Sequence, residues 1–80
     1  MIVRFFAGAA AAAGVDQRSI ELADDATFAD LESQLADGNE HLAKVLRVSA
    51  LLADGVRVIN RGQAVADTAQ VDVLPPFAGG

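Results

Sequence analysis

Eighty residues give room for one small domain with one core, and without cysteine neither a disulfide nor a thiolate metal site can reinforce it. The formal charge of −5, with six scattered basic residues, excludes a nucleic-acid binder, because phosphate recognition needs clustered lysine and arginine. Stability must come from apolar packing, for which Phe5, Phe6, Phe28, Phe77 and the aliphatic residues are the expected anchors.

Ile2 to Phe6 is β-branched and aromatic and reads as a strand. It is apolar on both faces except at Arg4, which places it at or near the centre of a sheet. The apolar run from Phe5 to Val15 has the outline of a secretory signal. It is built of alanine and glycine rather than leucine, however, and cleavage near Ala13 would remove the first strand. It is also too short for a bilayer, which needs about 20 residues. Gly8 introduces Ala9 to Ala13, a run of the best helix former closed by Gly14 at a C′ position. So short a run is helical only when packing holds it. Arg18 to Leu22 alternates polar and apolar residues, predicting a second strand antiparallel to the first, with one buried face.

Thr27 is a good helix N-cap, and Asp30 three residues on completes a shortened capping box. Phe28, Leu31 and Leu35 then form one apolar stripe, and Gly38 suits the left-handed cap that ends the helix. Glu40 to Leu46 predicts a second, shorter helix with Leu42, Val45 and Leu46 turned inward. Val48 to Ala53 reads as the third strand, Asp54-Gly55 as a two-residue hairpin turn, and Val56 to Ile59 as the fourth. Val71 to Leu74 is the last strand, stopped by Pro75-Pro76, neither of which can donate to a ladder. The pattern is that of an α+β domain with one mixed sheet of about five strands and one main helix packed across it. If the last strand lies parallel beside the first, the helix is the crossover. The domain covers residues 1–74, and residues 75–80 are an extended C-terminal tail.

No conventional active site is legible. His41 is the single histidine and reads as a solvated helix residue. With no second histidine and no cysteine, a transition-metal site is unsupported. Ser19 and Ser33 have no neighbouring base. Asp24, Asp25, Asp30, Glu32 and Asp37 read as capping, macrodipole and solubility residues around one helix. Gly8 and Gly14 have the wrong spacing for a phosphate loop. The tail is what remains. Two prolines fix φ and turn the chain out of the sheet. Phe77 either packs back as an anchor or is presented to a partner, and Ala78-Gly79-Gly80 offers almost nothing but backbone. The four residues after Pro76 reach roughly 13 Å when extended. Such a tail fits a narrow channel in another protein, where larger side chains would clash.

Ile2-Val3-Arg4-Phe5-Phe6-Ala7, Thr27 to Leu35, and Val71-Asp72-Val73-Leu74-Pro75-Pro76-Phe77-Ala78-Gly79-Gly80 resemble the ubiquitin-like sulfur-carrier family, over essentially the whole chain. That family includes the small subunit of molybdopterin synthase and the thiamine-pathway carrier. The Pro-Pro-x-x-Gly-Gly ending resembles the molybdopterin branch. The resemblance implies a ubiquitin-like β-grasp and a non-catalytic carrier whose Gly80 carboxylate is adenylated and then thiocarboxylated. Gly79 and Ala78 would enter the partner with it, and Pro75, Pro76 and Phe77 would bind there, together with the exposed face of the sheet. It further implies two partners in a cytoplasmic hetero-oligomer: an ATP-dependent adenylating and sulfur-transferring enzyme, and a large catalytic subunit that sulfurates a pyranopterin precursor. ATP would be used by the activating partner, with no cofactor bound here, and no nucleic acid or membrane would be involved. Sulfur carriage for thiamine or cysteine biosynthesis is an alternative. A modifier or binding module without sulfur chemistry is another. The chain departs from the family pattern at Ala9 to Ala13 and at Asp67 to Gln70, where relatives usually carry charge.

Overall fold

Strand β1 (Ile2–Phe5) buries Val3 and Phe5 and leaves Ile2 and Arg4 half-buried on its other face, the alternation of a strand with one face on a core. The computed structural model describes residues 1–76. After β1 come α1 (Gly8–Ala13), β2 (Gln17–Ser19), α2 (Phe28–Leu35), α3 (Glu40–Val48), β3 (Ala50–Ala53), β4 (Val56–Arg57) and β5 (Gln70–Leu74). The strands form one mixed sheet in the order β2-β1-β5-β3-β4. β1 and β5 are parallel, with Val3 opposite Val71 and Phe5 opposite Val73. The other three pairings are antiparallel. A parallel pair needs a long crossover, and the helices and the two outer hairpin strands supply it. The core lies between one sheet face (Val3, Phe5, Leu51, Val71, Val73) and the helices (Ala9, Phe28, Leu31, Leu35, Leu42, Leu46), closed by Ile20 and Val65.

The helices are held by identifiable devices. In α1 no side chain caps the N-terminus. Its C-terminal end is secured instead by Gly14, left-handed at φ 79°, and by Asn39, whose amide donates to the Ala12 carbonyl at 2.9 Å. The same Asn39 caps α3 by accepting from the Leu42 N–H at 3.0 Å, so one side chain joins two helix ends. At α2 the capping box is complete: the Asp30 N–H donates to Thr27 Oγ1 at 3.1 Å, and the Thr27 N–H donates to Asp30 Oδ2 at 2.9 Å. The first helical N–H groups of α2, at Phe28 and Ala29, donate to the carbonyls of Gln63 and Arg61. These would otherwise lack partners, so the β4–β5 loop serves as the cap of the main helix.

Three expected boundaries move. The second strand is Gln17–Ser19, wholly exposed, rather than Arg18 to Leu22 with a buried face. The register explains this, because Arg4 pairs Gln17 and Ile2 pairs Ser19. The last bonds are between Met1 and Ile20, and Glu21 and Leu22 have no strand left to pair with. Val48 ends α3 rather than opening β3. The buried Ser49 donates from Oγ to the Val45 carbonyl at 2.6 Å, and Arg61 binds the Leu46 and Ser49 carbonyls. The helix runs two residues further than expected, to Val48. β4 shrinks to Val56–Arg57, and Ile59 is 83% exposed. The hairpin turn itself is as expected. Asp54 and Gly55 both have positive φ, at 47° and 84°, the two-residue geometry that matches strand twist. The Asp54 carboxylate accepts from the N–H groups of Ala69 and Gln70, pinning the turn to the start of β5.

Candidate functional site at the exit of the last strand

The chain leaves the sheet from its middle strand. Leu74 pairs with Ala50 of β3, and the Phe6 N–H donates to the Val73 carbonyl at 3.2 Å. Beyond that, Pro75 is half-buried and Pro76 exposed, and neither has an N–H with which to extend the ladder. Of the residues expected to form the site, Pro75 and Pro76 are therefore placed at the sheet's exit. Phe77, Ala78, Gly79 and Gly80 lie outside the described residues.

Around this exit the outer sheet face is mixed rather than apolar. Gln17, Arg4, Asp72, Leu52 and Arg57 are successive cross-strand partners and form one row across all five strands. Arg4 donates from Nε and Nη2 to the two carboxylate oxygens of Asp72, at 2.8 and 2.9 Å. Its guanidinium also lies 5.4 Å from the centre of the Phe6 ring. The hydrogen bonds that Arg4 donates to Asp72 hold Arg4 above its ordinary pKa; burial opposes the shift and the charge of Asp72 adds to it. Phe6, expected in the core, is 38% exposed. It follows Phe5 directly, so the strand's alternation sends it to the other face.

The Arg4–Asp72 pair escaped the sequence reading, although Arg4 was conspicuous as the one polar residue of its strand. The available signal was positional. Once the first and last strands are parallel, Arg4 and Asp72 share the face opposite Val3 and Val71. Arg61 escaped as well. It stands in a segment that reads as a turn, yet it pairs with Glu32 of α2 and binds two carbonyls at the end of α3. Glu32 is thus an ion-pair residue rather than a solvated one. His41, Ser19, Ser33, Asp24, Asp25 and Asp37 are exposed. A groove of about 630 Å³ lined by Met1, Ile20, Leu22 and Val65 lies at the end of the sheet where β1 and β5 begin, away from the exit. No helix among the described residues is long and apolar enough to cross a membrane.

A mixed sheet with parallel first and last strands, a capped helix across it, and a chain leaving through Pro75-Pro76 define a ubiquitin-like β-grasp protein. The solved structures it resembles agree. Haloferax volcanii SAMP1 superposes with a TM-score of 0.81 at 24% identity, covering 99% of this chain and 97% of that one, a likeness of fold. The Pyrococcus furiosus protein described as molybdopterin converting factor subunit 1 gives 0.79 at 25% identity over 94% of both chains. Residues 3–80 match the ThiS family, and the chain belongs to that family. Among characterised relatives, the molybdopterin synthase sulfur carrier subunit of Chlamydomonas reinhardtii is 34% identical over 98% of this chain and 95% of its own length.

Proposed function

We propose that the chain is a sulfur carrier and the small subunit of molybdopterin synthase, with Gly80 as the group that carries sulfur. The main support is the likeness to the Chlamydomonas carrier subunit over nearly the whole of both chains, joined to a last strand that delivers Pro75-Pro76 out of the sheet. A carboxylate is a poor electrophile until one oxygen becomes a good leaving group. The Gly80 carboxylate attacks the α-phosphorus of ATP on an activating partner, pyrophosphate leaves, and an acyl-adenylate forms. A sulfur nucleophile then displaces AMP at the carbonyl carbon, leaving a thiocarboxylate. Ala78 and Gly79 thread the narrow channel of a large catalytic subunit, where the thiocarboxylate gives its sulfur to a pyranopterin precursor. Pro75, Pro76, Phe77 and the outer sheet face dock there, and Phe77 contributes hot-spot energy of about 2 kcal/mol or more. ATP is consumed by the activating partner, and the carrier itself supplies no catalytic acid or base.

Intact-mass analysis after co-production with the activating enzyme should show the mass gain of one sulfur replacing one oxygen. No gain with any activating partner would overturn the proposal. Deleting Gly79-Gly80 should abolish the gain and leave the fold unchanged. Complementation of molybdenum-cofactor, thiamine and cysteine mutants assigns the pathway, and rescue of the first alone is expected.

A further inference from the structure

The groove where β1 and β5 begin has an apolar floor. Ile20 and Val65 are buried there, with Met1 and Leu22 half-buried beside them. Its walls are two loop segments, 20–24 and 65–68. Backbone hydrogen bonds tie the second wall to the first and its continuation. The Val65 N–H donates to the Ala26 carbonyl at 2.7 Å, and the Ala66 N–H donates to the Asp24 carbonyl at 3.0 Å. The groove is therefore preformed, and a ligand entering it loses little free energy in ordering its walls.

Two further properties point to an extended peptide as its occupant. The first is main chain. Glu21 and Leu22 follow the last bonds of the β1–β2 ladder, and among the described residues their N–H and carbonyl groups enter no backbone hydrogen bond. A strand-like ligand bonds its own backbone to such unpaired groups while its alternate side chains turn down onto the floor. The second is charge. Glu21, Asp24 and Asp67 line the groove and are exposed, whereas the ion pairs among the described residues lie elsewhere, at Arg4–Asp72 and Arg61–Glu32. No lysine or arginine lines the groove. The Met1 ammonium does, and it already donates to the Ile20 carbonyl at 3.1 Å. One ammonium against three carboxylates leaves the groove net negative, which repels an acidic segment and draws in a basic one.

We infer that this groove docks an extended basic segment of a partner protein, in which arginine or lysine alternates with apolar residues. The apolar side chains seat on Ile20, Leu22 and Val65. The cations between them reach Glu21, Asp24 and Asp67, and the segment's backbone pairs with Glu21 and Leu22. The groove lies at the opposite end of β5 from Pro75, a separation of roughly 13 Å along the five-residue strand. A partner held there leaves the exit uncovered, so the chain is held on one protein while its tail engages another. The inference does not depend on sulfur carriage.

The test titrates the full chain, labelled for heteronuclear NMR, with a capped Arg-Val-Arg-Val-Arg peptide. Amide shifts should concentrate at Glu21, Leu22, Ala66 and Thr68, and a matched Glu-Val-Glu-Val-Glu peptide should cause none. Neutralising the rim in E21Q/D24N/D67N should weaken binding about tenfold, since each exposed pair contributes up to about fivefold. Circular dichroism of that variant should match the parent, because all three side chains are exposed. No shift with the basic peptide, an equal response to the acidic one, or undiminished affinity in the triple variant overturns the inference. So do shifts centred on another acidic stretch, such as Asp37 to Glu40. If the same amides shift when the protein alone is concentrated, the groove belongs to a second copy of this chain, and the inference falls.

Discussion

The two faces of the central strands obey different rules. On the helix side, Val3, Leu51, Val71 and Val73 are at most 1% exposed, and what fills those positions is decided by volume. On the outer side the same strands present Arg4, Leu52 and Asp72, all half-buried, and what fills those positions is decided by pairing and contact. Leu51 and Leu52 make the contrast within one dipeptide. Leu51→Ala should destabilise the domain by about 2–5 kcal/mol, the cost of lost burial plus a cavity. Leu52→Ala should cost less, about 1–2 kcal/mol, because Leu52 is only partly buried and its removal leaves a dent open to solvent rather than a closed cavity. Urea unfolding of both variants measures the difference, and equal losses would show the outer face to be a second core.

Arg61 breaks the comparison from another direction, because it is a charged residue that acts as core. Its side chain, 27% exposed, spans Glu32 on α2 and the carbonyls that end α3. Arg61→Ala leaves a largely buried carboxylate and two carbonyls short of partners, at a cost of about 2 kcal/mol. Arg61→Lys should recover only part of this, because an ammonium cannot reproduce the fork that reaches three acceptors. Full rescue by lysine would mean that charge alone matters. Below this in size lies the α2 cap. Thr27→Ala should cost about 1 kcal/mol and Thr27→Ser little, as read by thermal midpoint, since serine keeps the oxygen that accepts from Asp30.

These effects also mark what the sequence could reveal. The α2 stripe and cap were legible because both are local: the spacing of Phe28, Leu31 and Leu35 and the Thr27–Asp30 pair lie within nine residues. Asp54-Gly55 was legible because only a few residue pairs suit a turn with two positive φ values. The second strand was misplaced because alternation near Ile20 says nothing about where β1 stops. Val48 was misassigned because the interaction extending α3 comes from Arg61, 13 positions on. Ile59 shows the reverse error: β-branched composition promised a strand where no partner is in register. At the exit, Pro75 and Pro76 were readable from their chemistry. Arg4 and Asp72 are 68 positions apart and could be joined only through the parallel register.

The smallest expected effect is the sharpest probe of the outer face. Arg4 and Asp72 make a two-pronged pair, but the arginine side chain is 43% exposed against 13% for the aspartate, so water screens most of what the pair gains. The hydrogen bonds that Arg4 donates to Asp72 raise the Arg4 pKa. The arginine-linked stability is therefore complete below its unfolded pKa and is lost only in strong alkali, so Arg4 stays charged throughout the working range. A double-mutant cycle of Arg4→Met and Asp72→Asn, read by urea unfolding, should give a coupling smaller than the cost of Thr27→Ala. Replacing both residues should leave the thermal midpoint nearly unmoved. If docking uses this face, the same double variant should bind the large subunit more weakly, because the row from Gln17 to Arg57 loses its fixed order of charges. A large coupling with unchanged binding would mean that the pair exists to hold β1 against β5, and that the outer face is built for the fold rather than for a partner.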